Sequence, residues 1–136
     1  MFICFLMVKK VTFLENLQIE NMIVAAKLFE GTHNFKSYTA RPQLNTKFTR
    51  TINSCSIQKN KILEANFFPD KTYALHIRGE GFMRYQIRMI MGVLVQVGKG
   101  ELTYDEVAYS LTEESNIKLP YVAPGSGLIL NQLEFR

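Results

Sequence analysis

Residues 81–95 of the chain read GFMRYQIRMIMGVLV, and this stretch decides the fold. It predicts a helix from Met83 to Val97 that ends at Gly98, because the residues are apolar on nearly every side of a helical period. A helix that is apolar all round is buried in a protein core. The chain is therefore expected to fold around this helix.

Two arginines, Arg84 and Arg88, stand one turn apart near the start of this helix. Cations at a helix N-terminus oppose the helix dipole, at a cost of a few tenths to ~1 kcal/mol. A buried guanidinium also requires an anionic or well hydrogen-bonded partner. The pattern indicates that Arg88 either pairs with a carboxylate or receives a phosphate. An ordinary salt bridge, or a side chain that extends to solvent, explains the same pattern.

The sequence before this helix predicts one further helix and two strands. Asn16 is a candidate N-cap for a helix that Gly31 ends. Its apolar positions recur at helical spacing and are Ile19, Met22, Ile23 and Ala26. A polar loop is expected at residues 32–49, and a loop of that length favours a functional role. Strands are predicted at residues 50–57 and 71–78.

The sequence after the apolar helix predicts a second, shorter helix and a final strand. Thr103 and Glu106 form a capping-box pattern, and residues 128–135 read as the closing strand. Helices and strands interleave along the chain, with strands able to pair antiparallel. We therefore expect a single α+β domain over residues 1–136, with a mixed or antiparallel sheet and helices packed on one face.

Composition sets few limits on function. The 136 residues are 47% hydrophobic and 21% charged, which is typical of one globular domain. The net charge of +4 permits an RNA partner without requiring one. Cys4 and Cys55 lack metal or redox spacing and read as reduced structural residues. The apolar start, residues 1–8, is too short to span a bilayer and reads as a strand that begins abruptly, so sequence is expected upstream.

Two further segments carry candidate functional residues. Residues 31–38, GTHNFKSY, combine basic, aromatic and hydroxyl side chains that suit contact with RNA, although the segment also reads as an ordinary loop. Residues 122–130, VAPGSGLIL, form a Pro- and Gly-rich loop that leads into an apolar strand. His33 and His76 have no companion ligands at metal spacing, so no zinc site is expected.

These motifs occur in one order that resembles the C-terminal half of the TruA family of tRNA pseudouridine synthases. The resemblance covers about residues 14–136 and rests on GTHNF, TRTI, GFMRYQIRM and APGSGLIL. Asn34 departs from the family, which often has aspartate there. The resemblance implies a pseudouridine synthase-like half domain, cytoplasmic and without cofactor or metal. It also implies a tRNA partner, and either a homodimer or a partner chain that carries the missing half.

The resemblance also assigns expected roles to individual residues. Arg88 matches the basic residue that pairs with the catalytic aspartate. Leu128 matches the apolar residue that packs against the target uracil, and Phe82 matches an aromatic side chain beside the same pocket. The other expected substrate-binding residues are His33, Phe35 and Arg84.

The family nucleophile is an aspartate in an R-T-D-x-G-V-H-A motif, which these 136 residues do not contain. The sequence has only Asp70 and Asp105, and neither stands in that motif. We therefore expect the chain to be a fragment, a truncated product or half of a split enzyme, inactive in isolation. A non-catalytic RNA-binding module, and a basic α+β interaction domain without an RNA role, are the alternatives.

Overall fold

The computed structural model of the protein describes residues 2–8, 17–59, 72–119, 122–123 and 128–132. The strands are β1 (Phe2–Val8), β2 (Gly31–Asn34), β3 (Thr49–Lys59), β4 (Thr72–Gly79) and β5 (Leu128–Gln132). The helices are α1 (Ile19–Lys27), α2 (Gln86–Gly98) and α3 (Tyr104–Ser110), with a 3-10 helix at Lys36–Tyr38.

The strands form one five-stranded sheet in the order β2-β3-β4-β1-β5. Every pair is antiparallel; Cys55 of β3 lies opposite Ile77 of β4, and Phe5 of β1 lies opposite Leu128 of β5. The chain is thus an α+β domain with an antiparallel sheet, which confirms the expected fold class. The apolar N-terminal segment lies between β4 and β5 rather than at an edge, so its backbone is paired on both sides.

The hydrophobic core lies where β3 and β4 meet α1 and α2. On β4, the buried Leu75 and Ile77 alternate with the more exposed His76 and Arg78, as expected for a sheet with one covered face, although the small Ala74 is buried as well. On β3 the buried residues are Ile52, Cys55 and Ile57, a spacing that a regular strand cannot place on one face. The pairing register shifts between Ile52 and Ser54, and this irregularity returns all three side chains to the core.

Cys55 and Tyr38 lie in a part of the core from which solvent is excluded. Burial, with the nearby Glu30 carboxylate, raises the pKa of the Cys55 thiol to about 12. Burial likewise raises the pKa of Tyr38, whose hydroxyl is 2.6 Å from Ser110 Oγ. Both side chains are therefore neutral structural groups, in agreement with the expected structural role of Cys55.

Helix α1 departs from its expected pattern in two ways. Its N-cap position is Gln18, whereas Asn16 lies outside the described residues. Met22 and Ala26 are buried as expected, but Ile23 is 38% exposed, so its expected place on the buried face is wrong. Ala25 is buried in the core instead, and helix α1 as a whole packs against α2 and β3.

The structure also corrects two other predicted boundaries. The expected loop at residues 32–49 contains the last three residues of β2 and the 3-10 helix, so the prediction of a loop over this whole range is wrong. The expected start of the long helix at Met83 is wrong as well, because α2 begins at Gln86. The capping box of α3 is confirmed, since Thr103 Oγ1 accepts from Glu106 N at 3.2 Å and Glu106 Oε1 accepts from Thr103 N at 3.3 Å.

Within the described part of the chain, no helix is long and apolar enough to cross a membrane.

Candidate active-site region at the start of helix α2

The end of β4 and the start of α2 are joined by a short segment, residues 80–85. A β-carbon at Gly79 would lie 3.0 Å from the carbonyl oxygen of Thr51 and 3.1 Å from Phe82 Cζ. The position therefore favours glycine, because the neighbouring strand and the Phe82 ring leave no room for a side chain. The close approach packs Phe82, an expected pocket residue, against the end of the sheet.

The side chain of Gln86 organises the turn that leads into α2. Gln86 Oε1 accepts from Met83 N at 2.8 Å, and Gln86 N donates to Met83 O at 3.1 Å. The side chain thus satisfies one of the free backbone donors near the helix N-terminus. Gln86 Nε2 is buried and has no hydrogen-bond partner among the described residues.

Tyr85 occupies the N-cap position of α2 with φ of 65°, in the left-handed region. A residue with a β-carbon is strained there by about 1–2 kcal/mol relative to the right-handed region. This backbone reversal separates Arg84 from the helix, so the two arginines are not on one helical face as the sequence pattern suggested. Arg84 is instead in the preceding turn, where its carbonyl accepts from Thr39 Oγ1 at 3.2 Å.

The Tyr85 ring nevertheless brings both arginines together. The guanidinium carbon of Arg88 lies 4.6 Å from the ring centroid, and that of Arg84 lies 5.1 Å from it. Contacts of this kind contribute about 0.5–1 kcal/mol each when exposed. Arg84 lowers the pKa of the Tyr85 phenol by hydrogen bonding and by its charge, and Arg88 adds a smaller effect of the same sign.

Arg88 is half-buried and is held from a second direction by Ala123. Arg88 Nε donates to the carbonyl oxygen of Ala123 at 2.7 Å, and Ala123 N donates to the carbonyl oxygen of Arg88 at 3.1 Å. This two-way link ties α2 to the segment that precedes β5. The two motifs that carried the sequence interpretation, residues 81–89 and 122–130, are therefore in direct contact.

The terminal nitrogens of Arg88 have no acidic partner in the described ranges. The one salt bridge found there joins Lys27 Nζ to Glu30 Oε1 at 3.1 Å. A guanidinium that is oriented through Nε by a carbonyl oxygen presents its remaining N–H groups in a fixed fork, which suits a carboxylate or a phosphate. The arrangement can hold an anion in a defined orientation.

His33 and Phe35 lie in and just after β2, next to β3. His33 Nε2 is 2.7 Å from the carbonyl oxygen of Glu30, and its ring packs edge-to-face on Phe35 with centroids 6.0 Å apart. Phe35 is fully buried and packs on Tyr38. Phe35 therefore lies in the core and packs against the His33 ring, whereas His33 itself is half-buried at the edge of the sheet.

Leu128 is the first residue of β5 and pairs with Phe5 of β1. Ala123, whose carbonyl oxygen accepts from Arg88, lies five residues before Leu128 in the sequence. The structure brings Arg84 and Arg88 together on the Tyr85 ring, with Phe82 in the segment that leads into α2, and places His33 and Phe35 in and just after β2.

Tyr85, Gln86 and Ala123 were not identified from sequence. Tyr85 stands between the two arginines, and an aromatic residue in that position is a usable signal for cation–π contact. Ala123 acts through its backbone, which leaves no trace in residue type. No group of three or more His, Cys, Asp or Glu side chains with metal-binding geometry is present in the described ranges.

Comparison with known proteins bears on this region directly. A sequence model described as tRNA pseudouridine synthase matches residues 25–136. The chain is 28% identical over 121 residues to tRNA pseudouridine synthase A of Onion yellows phytoplasma, covering 89% of the chain and 46% of the relative. It is 30% identical over 125 residues to the Acinetobacter baumannii protein of the same name, covering 91% of the chain and 44% of the relative.

A third relative, tRNA pseudouridine synthase A 2 of Desulfotalea psychrophila, is 35% identical over 112 residues, which is 81% of the chain and 40% of the relative. The chain thus spans less than half the length of each of these relatives. Both motifs around Arg88 fall inside the matched range.

Proposed function

Because the chain belongs to the tRNA pseudouridine synthase family, we propose that it forms part of the catalytic domain of an enzyme that isomerises uridine to pseudouridine in tRNA. The reaction breaks the C1′–N1 glycosidic bond, turns the base and joins C1′ to C5; C5 loses its proton and N1 gains one, so the product is an isomer of the substrate. It requires a positioned carboxylate, a dry pocket and a nucleotide turned out of its stack.

In this proposal the residues around α2 form one wall of the uridine pocket. Arg88 orients the catalytic carboxylate, which belongs to an R-T-D-x-G-V-H-A segment outside these 136 residues. Phe82 and Leu128 pack beside the base. The N–H groups of Arg88 that Ala123 leaves free are the ones that contact the carboxylate.

The RNA-contacting residues in this proposal are Arg84 and His33, with Phe35 supporting His33 through ring packing. The partner is tRNA, and the site of action is the cytoplasm. The active assembly includes the half that carries the aspartate motif, either joined to this chain in each subunit of a homodimer or supplied by a partner chain.

One observation carries the proposal: the half-buried Arg88 guanidinium, fixed by the Ala123 carbonyl and the Tyr85 ring, has no acidic partner among the described residues. Holding an arginine in this way is costly unless an anion completes the arrangement. The family supplies such an anion, the catalytic aspartate.

The test is tritium release from tRNA labelled at C5 of uridine. The samples are the 136-residue chain, and a fusion that joins the upstream half of the Acinetobacter baumannii relative to it. We expect no release from the chain alone and clear release from the fusion. Arg88→Met in the fusion should lower the rate by on the order of 100-fold or more, because a preorganised charged donor is removed. The exposed Lys118→Ala variant is the control and should retain the rate.

Each outcome separates the candidate functions. Release by the chain alone would show that the nucleophile lies within these residues. A folded fusion that binds tRNA without releasing tritium would favour the RNA-binding module, an alternative motivated by the absence of the aspartate motif from the chain. A rate unchanged by Arg88→Met would remove Arg88 from the mechanism.

A further inference from the structure

A second site lies at the start of the segment 80–85 that joins β4 to α2, and it is not part of the uridine pocket. It is an open cleft of about 520 Å³ between the start of β3 and the end of β4. Its lining side chains include Lys47, Arg50, Thr49 and Thr51, with Glu80 and Gly81 on the opposite side. We name it the Lys47–Arg50 cleft.

The guanidinium of Arg50 is fixed at this cleft. Arg50 Nε donates to the carbonyl oxygen of Lys47 at 3.0 Å. A β-carbon placed at Gly81 would lie 3.6 Å from Arg50 Nη1, an ordinary contact distance, so the guanidinium lies beside the backbone of Gly81. The terminal N–H groups of Arg50 are thereby presented in a planar fork, the geometry that matches two oxygens of a phosphate.

The loop that carries Lys47 is held in place by its neighbours. Gln43 N donates to Thr46 Oγ1 at 2.9 Å, and Thr46 N donates to the carbonyl oxygen of Gln43 at 3.1 Å. At the end of the loop, the carbonyl oxygen of Phe48 accepts from Phe35 N at 2.9 Å, and the Phe48 side chain packs on the core. The cleft wall is therefore formed before any ligand arrives, which reduces the entropy lost on binding.

The cleft and the uridine pocket share one turn of the chain. Gly81 lines the cleft, Phe82 follows it, and Arg84 is three residues from Gly81, at most ~11 Å along an extended backbone. On the other side, Arg50 pairs with His33 across β2 and β3, so both side chains lie on the same face of the sheet. A ligand in the cleft is thus close to the residues proposed to contact RNA.

We propose that the Lys47–Arg50 cleft binds a phosphodiester group of the RNA strand that flanks the target uridine. The inference rests on the proposed function for the identity of the strand. Lys47 supplies a mobile charge, Arg50 supplies the fixed fork, and the threonine hydroxyls supply neutral donors. Glu80 reduces the positive potential of the cleft, so it limits affinity and favours a bound group that lies on the Arg50 side.

The test is an NMR titration of the 136-residue chain with a single-stranded oligouridylate, following backbone amides and the Arg50 Nε–H signal. We expect shifts at residues 45–51 and 80–81. The same oligonucleotide with uncharged methylphosphonate linkages should leave these signals in place. Lys47→Ala with Arg50→Gln should weaken binding roughly 10-fold or more. The slope of log affinity against log salt should fall by ~0.7 for each phosphate that the variant no longer neutralises.

The matched control removes the same two charges elsewhere. Lys59→Ala with Lys118→Ala changes two exposed residues that do not line the cleft, and should leave the shifts at residues 45–51 intact. If Arg50→Gln disturbs β3, the single variant Lys47→Ala in the exposed loop still tests whether a charge at the cleft contributes to binding. Glu80→Gln should strengthen binding.

Absence of shifts in the cleft, or equal shifts with the methylphosphonate strand, would overturn the proposal. The outcome is separate from that of the tritium assay. A fusion without isomerase activity whose cleft still binds the charged oligonucleotide would refute uridine isomerisation and leave the phosphate site standing. An active fusion whose cleft signals never respond to the charged oligonucleotide would refute the phosphate site and leave uridine isomerisation standing.

Discussion

The left-handed backbone at Tyr85 leads to a prediction that inverts the usual order of two substitutions. Replacing Tyr85 with alanine or with glycine removes the same ring, which is 38% exposed and contacts both arginines. Removing two exposed cation–π contacts costs about 1–2 kcal/mol in either variant. The variants differ because alanine keeps the strain at φ of 65°, whereas glycine releases it.

The strain amounts to about 1–2 kcal/mol, and the extra freedom of glycine in the unfolded chain offsets roughly 0.5–1 kcal/mol of it. Tyr85→Gly should therefore be more stable than Tyr85→Ala by about 1 kcal/mol. In urea unfolding followed by circular dichroism, with a slope of about 2 kcal/mol per M, the midpoints should differ by about 0.5 M.

Tyr104 provides a matched control, because it is also 38% exposed but is the first residue of α3, without a positive φ. At this position glycine should be less stable than alanine by up to ~1 kcal/mol, the ordinary helix preference. If Tyr85→Gly were less stable than Tyr85→Ala, as at Tyr104, the left-handed turn and the separation of Arg84 from α2 would both be wrong.

Two further predictions concern contacts that stabilise the folded domain. Gly98→Ala places a β-carbon 2.6 Å from Met22 Sδ and should cost about 1–3 kcal/mol in urea unfolding. The cost should be smaller in a Met22→Ala background, and an equal cost would contradict the contact. Glu30→Gln should destabilise by about 0.5–1 kcal/mol at neutral pH, because a charge-assisted bond to Cys55 N is weakened. That bond, with Lys27 helping, lowers the Glu30 pKa below 4.5, so the difference from wild type should shrink as pH falls through the lowered pKa. A pH-independent difference would count against it.

The sequence predicted those elements whose residue types reflect their burial or their side-chain capping. The long helix was identified because its burial on almost all sides is written in its residues, and α3 because Thr103 and Glu106 cap it with their own side chains. The start of α2 was predicted too early. The left-handed backbone at Tyr85 and the hydrogen bonds between Gln86 and Met83 set the true start of the helix, but neither alters the hydrophobic periodicity of the sequence.

The features that sequence missed depend on backbone contacts or on the partner surface. Strand β2 has polar residues and is held by its ladder to β3, so no apolar alternation marks it. Arg88 was singled out because a charge in an apolar helix needs a partner, but the partner found here, the Ala123 carbonyl, is a group that every residue possesses. Only the folded arrangement identifies it.

The position of β1 has a consequence for how the protein is made. This apolar strand, FICFLMV, leaves the ribosome before both of its neighbours in the sheet, since β4 and β5 follow it along the chain and β5 is the last strand of the five. Until they emerge, both edges of β1 lack their native partners, and such a segment is prone to associate with other chains. Chaperones that cover such an apolar segment during synthesis should therefore raise the yield of folded protein.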